Sequence, residues 1–233
     1  MPISSKDVQF YPLGDAAVIL QFEDEINDRT QEAILAISAF LDEYAFEGLI
    51  EYVPAYTSVT LFYEPLHISY FEILENLKEM LEEITIEAET VLGDLVEIPV
   101  HYSMESGPDL EFVAAECGLS TAQVIELHSH PIYRVNMIGF SPGFPYLSGM
   151  HDALEVGRRT HPRAMVPAGS VGIAGKQTGV YPMTTPGGWQ IIGRTPLRLF
   201  DIERPLPSLL KAGDRLRFIS ITKTEFERME SGY

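Results

Sequence analysis

The sequence has little cysteine, no long apolar run and, over its first half, few basic residues. Cys117 is the single cysteine among 233 residues, which excludes an internal disulfide framework and is typical of a reducing compartment. No stretch approaches the roughly 18 uninterrupted apolar residues of a membrane-spanning helix. Residues 1–10 have no charged segment followed by an apolar run, so a secretory signal is not expected. These absences predict a cytoplasmic protein that does not bind membranes.

Basic residues are scarce in one half only. Of the net charge of −18, residues 1–95 contribute nearly all, with 20 acidic side chains against Lys6, Arg29 and Lys78. In residues 96–233, 14 acidic and 13 basic side chains almost cancel. Such an asymmetry predicts two units with different surfaces. The acidic half would repel nucleic acid and anionic membranes, and it is either a solubilising face or a docking surface for a basic partner.

The first half alternates strand and helix patterns. Apolar residues recur at spacings of three and four from Ile26 to Tyr44, and again from Phe71 to Ile84 after a capping box of Ser69 and Glu72. Four alternating segments predict strands at Val8–Leu13, Ala16–Phe22, Leu49–Pro54 and Ser58–Tyr63. Two helices on one face of an antiparallel sheet make an α+β sandwich, which we expect to be ferredoxin-like. An acid-rich stretch at 87–94 indicates the boundary, and the predicted domains are 1–88 and 89–233.

The second half is mainly β in character. After a strand at Val96–Tyr102, two short helices are predicted at Leu110–Cys117 and Thr121–Ser129. From Pro131 onward, glycine and proline separate short predicted strands at Tyr133–Ile138, Gly172–Ala174, Gln190–Ile192, Leu197–Phe200 and Arg215–Ile221. Closely spaced short strands with such turns favour a β-barrel or sandwich.

Several segments imitate known functional motifs without meeting their chemical requirements. Residues 139–143 match the G-x-S-x-G nucleophile elbow, but the residue after the serine is Pro142, which has no N–H for an oxyanion hole. Residues 169–177 resemble a phosphate loop but lack its first glycine and its magnesium-binding hydroxyl. The predicted helix pair at 110–129 resembles a DNA-binding motif, yet its second helix has no basic residue for phosphates. His128 and His130 lack the spacing of a zinc site, so we expect solvated or capping histidines and no metal.

The segment from Arg134 to Arg198 is the most informative part of the sequence. Its loops combine proline, which fixes the backbone, with glycine, which allows a ligand to approach closely, and they contain the single tryptophan. Arginines at positions 134, 163, 194 and 198 supply cations within this stretch. On the residues alone, a binding site and a set of turns that close a barrel are equally supported.

Three phrases in this segment carry a family resemblance: GFSPGFPYLSG (139–149), PRAMVPAGSVGIAGKQTGVYP (162–182) and PGGWQIIGRTPLRLFD (186–201). With them the chain resembles the KipI/PxpB family, the B subunits of ATP-dependent 5-oxoprolinase. This family is also called allophanate hydrolase subunit 1 and is related to the carboxyltransferase part of urea carboxylases. The resemblance covers the whole chain, although the first 85 residues are less distinctive. Lys176 departs from the small or neutral residue that we expect there.

The resemblance implies a small α+β domain followed by a cyclophilin-like β-barrel. It implies a B subunit that pairs with a homologous C subunit and acts with an A subunit to open 5-oxo-L-proline to L-glutamate. ATP with Mg²⁺, bound by the complex, is the expected cofactor, and this chain alone is expected to be inactive. An inhibitor of a sporulation histidine kinase and a subunit acting on allophanate or another urea-like amide are the alternatives, the first of which would make a histidine kinase a partner.

The chemistry of such a reaction needs cations for developing phosphate charge and fixed donors for the carbonyl. Arg134, Arg163 and Arg194 are the candidates for the catalytic cations. For binding of substrate or nucleotide, the candidates are backbone N–H groups of the glycine-rich loops together with nearby polar side chains: Gly169, Ser170, Gly172, Gln177, Gly187, Gly188, Gln190 and Thr195.

Overall fold

The structure is a computed structural model that describes Ile3 and residues 8–22, 27–84 and 93–232. The chain divides into two compact units, residues 1–91 and 92–233. The predicted boundary between residues 88 and 89 lies within 85–92, outside the described residues. Among the described residues, no helix is both long and apolar enough to cross a membrane.

The first unit contains one antiparallel sheet. Its strands are β1 (Gln9–Pro12), β2 (Ala17–Gln21), β3 (Leu49–Pro54) and β4 (Ser58–Tyr63), in the order β1-β2-β4-β3. The two hairpins confirm all four predicted strands. Strands β2 and β4 lie in the centre and alternate buried with less buried side chains, as expected for a sheet with one covered face.

Two helices, α1 (Asp28–Glu43) and α2 (Tyr70–Glu83), supply the rest of the core of this unit. Asn27 caps the first, and the predicted capping box of Ser69 and Glu72 begins the second. The predicted apolar face of α2 is wrong at Phe71, which is 77% exposed. Leu77, Leu81 and Ile84 are buried as predicted, and Ile73 and Met80 are buried beside them.

The α+β class is confirmed, whereas the ferredoxin-like order of elements is not. That fold has the order βαββαβ, and the described residues of this unit have ββαββα. The edge position beside β2, which the last strand of a ferredoxin-like unit would take, is held here by β1 from the start of the chain.

The second unit is built on a curved sheet of seven strands. In chain order these are β5 (Leu95–Val100), β6 (Tyr133–Ile138), β7 (Pro145–Ser148), β9 (Ser170–Ala174), β10 (Gln177–Val180), β12 (Gln190–Arg194) and β13 (Arg215–Ser220). Their order across the sheet is β12-β9-β10-β7-β6-β13-β5. A separate pair is formed by β8 (Arg163–Val166) and β11 (Thr185–Gly187).

The two edges of the seven-stranded sheet meet, which makes it a nearly closed barrel. His101, just after β5, and Arg194, at the end of β12, form an antiparallel bridge. His101 N–H donates to the Arg194 carbonyl at 2.8 Å, and Arg194 N–H donates to the His101 carbonyl at 3.1 Å. The bridge leaves few unpaired edge groups and holds His101 and Arg194 side by side.

Three helices complete the second unit: α3 (Leu110–Glu116), α4 (Thr121–Ser129) and α5 (Lys223–Glu230), with a 3-10 turn at Asp152–Leu154. The first two were predicted, and α5 was not. The predicted strand at Leu197–Phe200 is wrong, since only Phe200 forms an isolated bridge, with Ser208. An apolar core fills the barrel, with Tyr133, Leu147, Ile173, Ile192 and Phe218 among its fully buried side chains.

Candidate functional site

A cleft of about 290 Å³ opens beside the bridge that closes the barrel. One wall is the barrel and its preceding loops, and the other is helix α5. The side chains that line it combine cations, carboxylates, an imidazole and one aromatic ring; they are His101, Glu105, Ser106, Pro108, Arg163, Val166, Pro167, Ser170, Ile191, Arg194, Lys223, Phe226, Glu227 and Glu230. We call this cavity the closure cleft.

Arg194 is fixed in the closure cleft by three contacts. Its Nε donates to the carbonyl of Ala168 at 2.9 Å. Its Nη2 lies 3.1 Å from the Glu230 carboxylate, and the guanidinium carbon lies 5.5 Å from the centre of the Phe226 ring. Because the Nε bond sets the plane of the group, the terminal nitrogens face α5, an arrangement suited to a carboxylate.

Arg163 belongs to an ion cluster behind the same wall. It donates from both terminal nitrogens to the carboxylate of Asp109, at 2.8 Å each. Asp109 is buried, and it also accepts from Arg159 at 2.7 Å and from the backbone N–H of Ile191 at 2.7 Å. A buried carboxylate needs such partners, so Asp109 holds Arg163 in place and keeps one net positive charge in the cluster.

The closure cleft contains an imidazole, that of His101, and neighbouring side chains fix its ring. Its Nδ1 lies 2.9 Å from the hydroxyl of Ser106, and its ring lies 5.8 Å from that of Phe226. A ring held through one nitrogen leaves the other, Nε2, as the group that can accept or donate a proton. Lys223, also in the cleft, pairs with Glu105 at 2.7 Å, which raises the pKa of the lysine and lowers that of the glutamate.

Some of the predicted site residues meet in this cleft. Arg163, Ser170 and Arg194 line it. Gly169 and Thr195 lie beside it, and a backbone hydrogen bond from Thr195 N–H to the Gly169 carbonyl, 2.9 Å long, joins them. A Cβ on Gly169 would lie 2.3 Å from the Thr195 carbonyl oxygen, which explains the glycine.

The glycine-rich segment at 169–175 is not arranged as an anion-binding loop. Gly169 N–H donates to Tyr181 and Gly175 N–H donates to Val156, at 2.7 Å each. The residues between them form β9, which pairs with β10 on one side and β12 on the other. Gly172 is inside this strand and Gln177 begins β10. These backbone donors are used within the sheet.

Gln190, Gly187 and Gly188 lie away from the closure cleft. Gln190 is buried and lines a second cavity of about 400 Å³, with Arg158, Arg159 and His161. Its Nε2 donates to the Gly157 carbonyl at 3.0 Å. Gly187 ends β11, and the carbonyl of Gly188 accepts from Arg159 N–H at 2.8 Å.

Arg134 is not part of either cavity. It lies in β6, where it is opposite Arg215 of β13 and Ser148 of β7. Arg198 lies in the loop after β12 and is also outside the closure cleft. Of the four arginines that the sequence analysis singled out, the fold brings Arg163 and Arg194 to the closure cleft.

Sequence reasoning found Arg163 and Arg194 but missed the other charged side chains of the cleft, Glu105, Lys223, Glu227 and Glu230. Asp109 follows Pro108 in a loop before α3 and has no motif around it. His101 and Ser106 share the spacing i, i+5, which has no signal of its own. Lys223 and Glu230 lie on α5, whose polar sequence contains a single buried side chain, Phe226. The capping box of Thr222 and Glu225 was the one signal that could have revealed this helix.

His128 is neither a metal ligand nor a solvated or capping residue. It is fully buried, and the ring stacks on Phe218 at 4.5 Å. Since the Thr178 hydroxyl donates to the Gly172 carbonyl, it accepts from Nε2–H of His128, and Nδ1 then accepts from Tyr102. Burial lowers the pKa of this imidazole from 6.5 to about 3. In the described part of the chain, no three histidine, cysteine, aspartate or glutamate side chains gather as a metal site would require.

Curated relatives resemble the chain over nearly its whole length. The 5-oxoprolinase B subunit of Bacillus subtilis (strain 168) is 45% identical over 228 residues, which is 94% of this chain and 95% of that protein. The 5-oxoprolinase B subunit of Escherichia coli O157:H7 is 44% identical over 90% of this chain and 94% of that protein.

Solved structures share the fold of this chain, and some of them also share much of its sequence. TTHA0988 is 38% identical with a TM-score of 0.79; the match covers 88% of this chain and 40% of that one. Kluyveromyces lactis urea carboxylase shares the fold, with a TM-score of 0.75 at 19% identity, over 95% of this chain and 22% of that one. Residues 8–210 match the profile of the carboxyltransferase domain, subdomain C and D, and the chain belongs to that family.

Proposed function

We propose that this chain is the B subunit of a 5-oxoprolinase, part of a hydrolase that opens 5-oxo-L-proline to L-glutamate with hydrolysis of ATP. The observation that carries the proposal is the 45% identity to a curated B subunit over 94% of the chain. The hypotheses of a kinase inhibitor and of an allophanate hydrolase subunit are not favoured by these relatives.

The closure cleft supplies groups that ring opening requires. Water must add to the lactam carbonyl carbon, the C–N bond must break, and the nitrogen must gain a proton. Negative charge that develops on oxygen would be stabilised by Arg163, which is held by Asp109, while Arg194, held by the Ala168 carbonyl, would orient the substrate. His101, with one nitrogen fixed by Ser106, would move the proton.

Phosphorylation of the lactam oxygen by ATP would make the carbonyl carbon more electrophilic, so that one water opens the ring at the C–N bond and a second water then releases phosphate. The segment at 169–175 does not fit a phosphate loop, because its strand donors are paired on both sides. We propose that ATP and Mg²⁺ are bound by the assembled complex.

Partner subunits complete the proposal. We expect a homologous C subunit and an A subunit, a cyclophilin-like geometry of the barrel, and a cytoplasmic location. The match to TTHA0988 supports a larger assembly, because this chain corresponds to 40% of that polypeptide.

The test is glutamate release from 5-oxo-L-proline with ATP, measured for this chain alone and for its reconstituted mixture with C and A partners. We expect turnover in the mixture and none in the isolated chain. Omitting each subunit in turn is the control. Turnover by the isolated chain at the rate of the mixture, or no turnover by a correctly assembled mixture, would contradict the proposal.

A further inference from the structure

The carboxylate of Glu230 lies against Nη2 of Arg194, at the terminal end of the guanidinium group. The Nη2–Oε1 distance is 3.1 Å, while the Nε of the same guanidinium is used by the Ala168 carbonyl. The terminal nitrogens of Arg194 are therefore positioned to bind a carboxylate, and the carboxylate of Glu230 lies there.

The contact between Arg194 and Glu230 is weak enough to be exchanged. The two side chains are 36% and 47% exposed, and pairs this exposed contribute little to stability. Glu230 is the last residue of α5, whereas the anchor of that helix is Phe226, which is 7% exposed. Rotation of the Glu230 side chain would free Arg194 without moving Phe226.

The charges of the closure cleft favour a ligand with one negative charge. Arg163, Arg194 and Lys223 are matched by Glu105, Glu227 and Glu230 among the lining residues. Replacing one carboxylate by another keeps this balance, whereas a polyphosphate would bring several charges that these cations could not match. The Phe226 ring beside Arg194 adds an apolar surface for a small ring.

We propose that Arg194 binds the carboxylate of a small cyclic carboxylic acid in the closure cleft, and that Glu230 is an internal competitor which this carboxylate displaces. Under the proposed function, on which the identity of the ligand rests, that acid is 5-oxo-L-proline. The neutral part of the ligand then lies against Phe226 in the part of the cleft that His101 also lines.

The competitor hypothesis predicts changes of opposite sign. Arg194→Gln should weaken binding of carboxylates at least tenfold, because a charge-assisted hydrogen bond is lost. Glu230→Gln should tighten it by about two- to fivefold, since an exposed pair no longer competes. In the Arg194→Gln background, Glu230→Gln should have no effect. Glu126→Gln, which removes the same charge from an exposed position on α4 outside the closure cleft, is the matched control and should change affinity less than twofold.

Binding is measured by calorimetry on the full chain and on its assembled complex. The probes are 5-oxo-L-proline, cyclopentanecarboxylate, which lacks the lactam, and 2-pyrrolidinone, which lacks the carboxylate. The affinity for 2-pyrrolidinone should not respond to either substitution. Arg194→Lys and a thermal melt of each variant separate loss of the guanidinium from loss of the fold.

The outcomes separate this inference from the proposed function. If the complex turns over 5-oxoproline but its KM is unchanged in Arg194→Gln and Glu230→Gln, the inference is wrong and the function stands. If cyclopentanecarboxylate follows the predicted pattern and 5-oxoproline is not turned over, the inference stands and the function fails. Weaker binding in Glu230→Gln, or no carboxylate binding at all, would also overturn it.

Discussion

Two arginines that are equivalent in the sequence lie in different environments in the fold. Arg194 lines the closure cleft with its guanidinium plane fixed, while Arg134 lies on β6 outside the cleft. We expect Arg194→Ala to lower kcat/KM of the assembled enzyme by about 10- to 100-fold, because a charge-assisted hydrogen bond to the substrate is lost. Arg134→Ala should stay within threefold of the wild type. Steady-state kinetics of complexes checked by size-exclusion chromatography decide this, and equal losses in both variants would contradict the assignment of the site.

His128 makes stability depend on pH in a definite direction. The imidazole stays neutral in the folded unit down to a pKa of about 3, whereas the unfolded chain takes up a proton near pH 6.5. Because the folded pKa is the lower one, this stability is fully present above about pH 6.5. It is lost as the pH falls below that, by about 1.4 kcal/mol per pH unit.

Replacing this imidazole should remove that dependence. His128→Gln lowers stability at pH 7 but should lose about 1 kcal/mol less than the wild type between pH 6.5 and 5.5. Urea unfolding at the two pH values measures the difference. His130→Gln, at an exposed position two residues later, is the control. Parallel losses in His128→Gln and the wild type would show that His128 does not cause the effect.

At the scale of elements, a close approach between a loop and a strand positions the site. Gly107 passes directly over β12, and a Cβ there would lie 2.1 Å from the carbonyl carbon and oxygen of Ile192. The same approach lets Asp109 form two hydrogen bonds with Ile191. The Asp109 carboxylate accepts from Ile191 N–H at 2.7 Å, and Asp109 N–H donates to the Ile191 carbonyl at 2.9 Å. The position of Asp109, and through it that of Arg163, therefore depends on glycine, which has no side chain, at position 107.

Gly107→Ala should therefore separate the loop from β12. We expect a loss of about 3 kcal/mol, within the range of strongly destabilising substitutions, and a melting temperature lower by roughly 5–10 °C. Turnover of the complex should fall as well, because Asp109 moves. Gly157→Ala, with no heavy atom within 4 Å of the added Cβ, is the matched control. If Gly107→Ala has the same melting temperature as Gly157→Ala, the loop can shift to make room for the added methyl group, and the prediction is wrong.

The elements that sequence analysis predicted are those with a periodic or capping signal. Strand β6 was predicted at its exact bounds, and the capping box of Ser69 placed the start of α2. Strands β7, β8, β10 and β11 were missed, since three or four residues among glycines and prolines give no measurable alternation. Helix α5 was missed because one buried side chain makes no apolar face.

At the scale of the whole molecule, the site depends on distant parts of the sequence. The bridge between His101 and Arg194 exists only when β5 and β12 close the barrel, and α5 adds the opposite wall from the end of the chain. The sequence could indicate the loops rich in glycine, proline and arginine, because their composition is local. It could not indicate which arginines share a cleft, because register and closure decide that.

The first unit carries the excess negative charge, and its predicted role in assembly can be tested on α2. Glu75, Glu79, Glu82 and Glu83 are exposed on that helix, while the acidic run at 23–25 lies outside the described residues. Charges of this kind act mainly on association rate and are screened over about 8 Å at physiological salt. Changing these four residues to glutamine should slow complex formation by roughly three- to tenfold at low salt.

The salt dependence is what distinguishes docking from solubility. The quadruple variant should associate at the rate of the wild type at high salt, and turnover of the assembled complex should not change. Stopped-flow association over a series of salt concentrations measures both. A matched variant neutralises four exposed acidic residues of the second unit: Glu111, Glu116, Glu126 and Asp152. If both variants slow association equally, only net charge matters; if neither does, the acidic half is a solubilising surface.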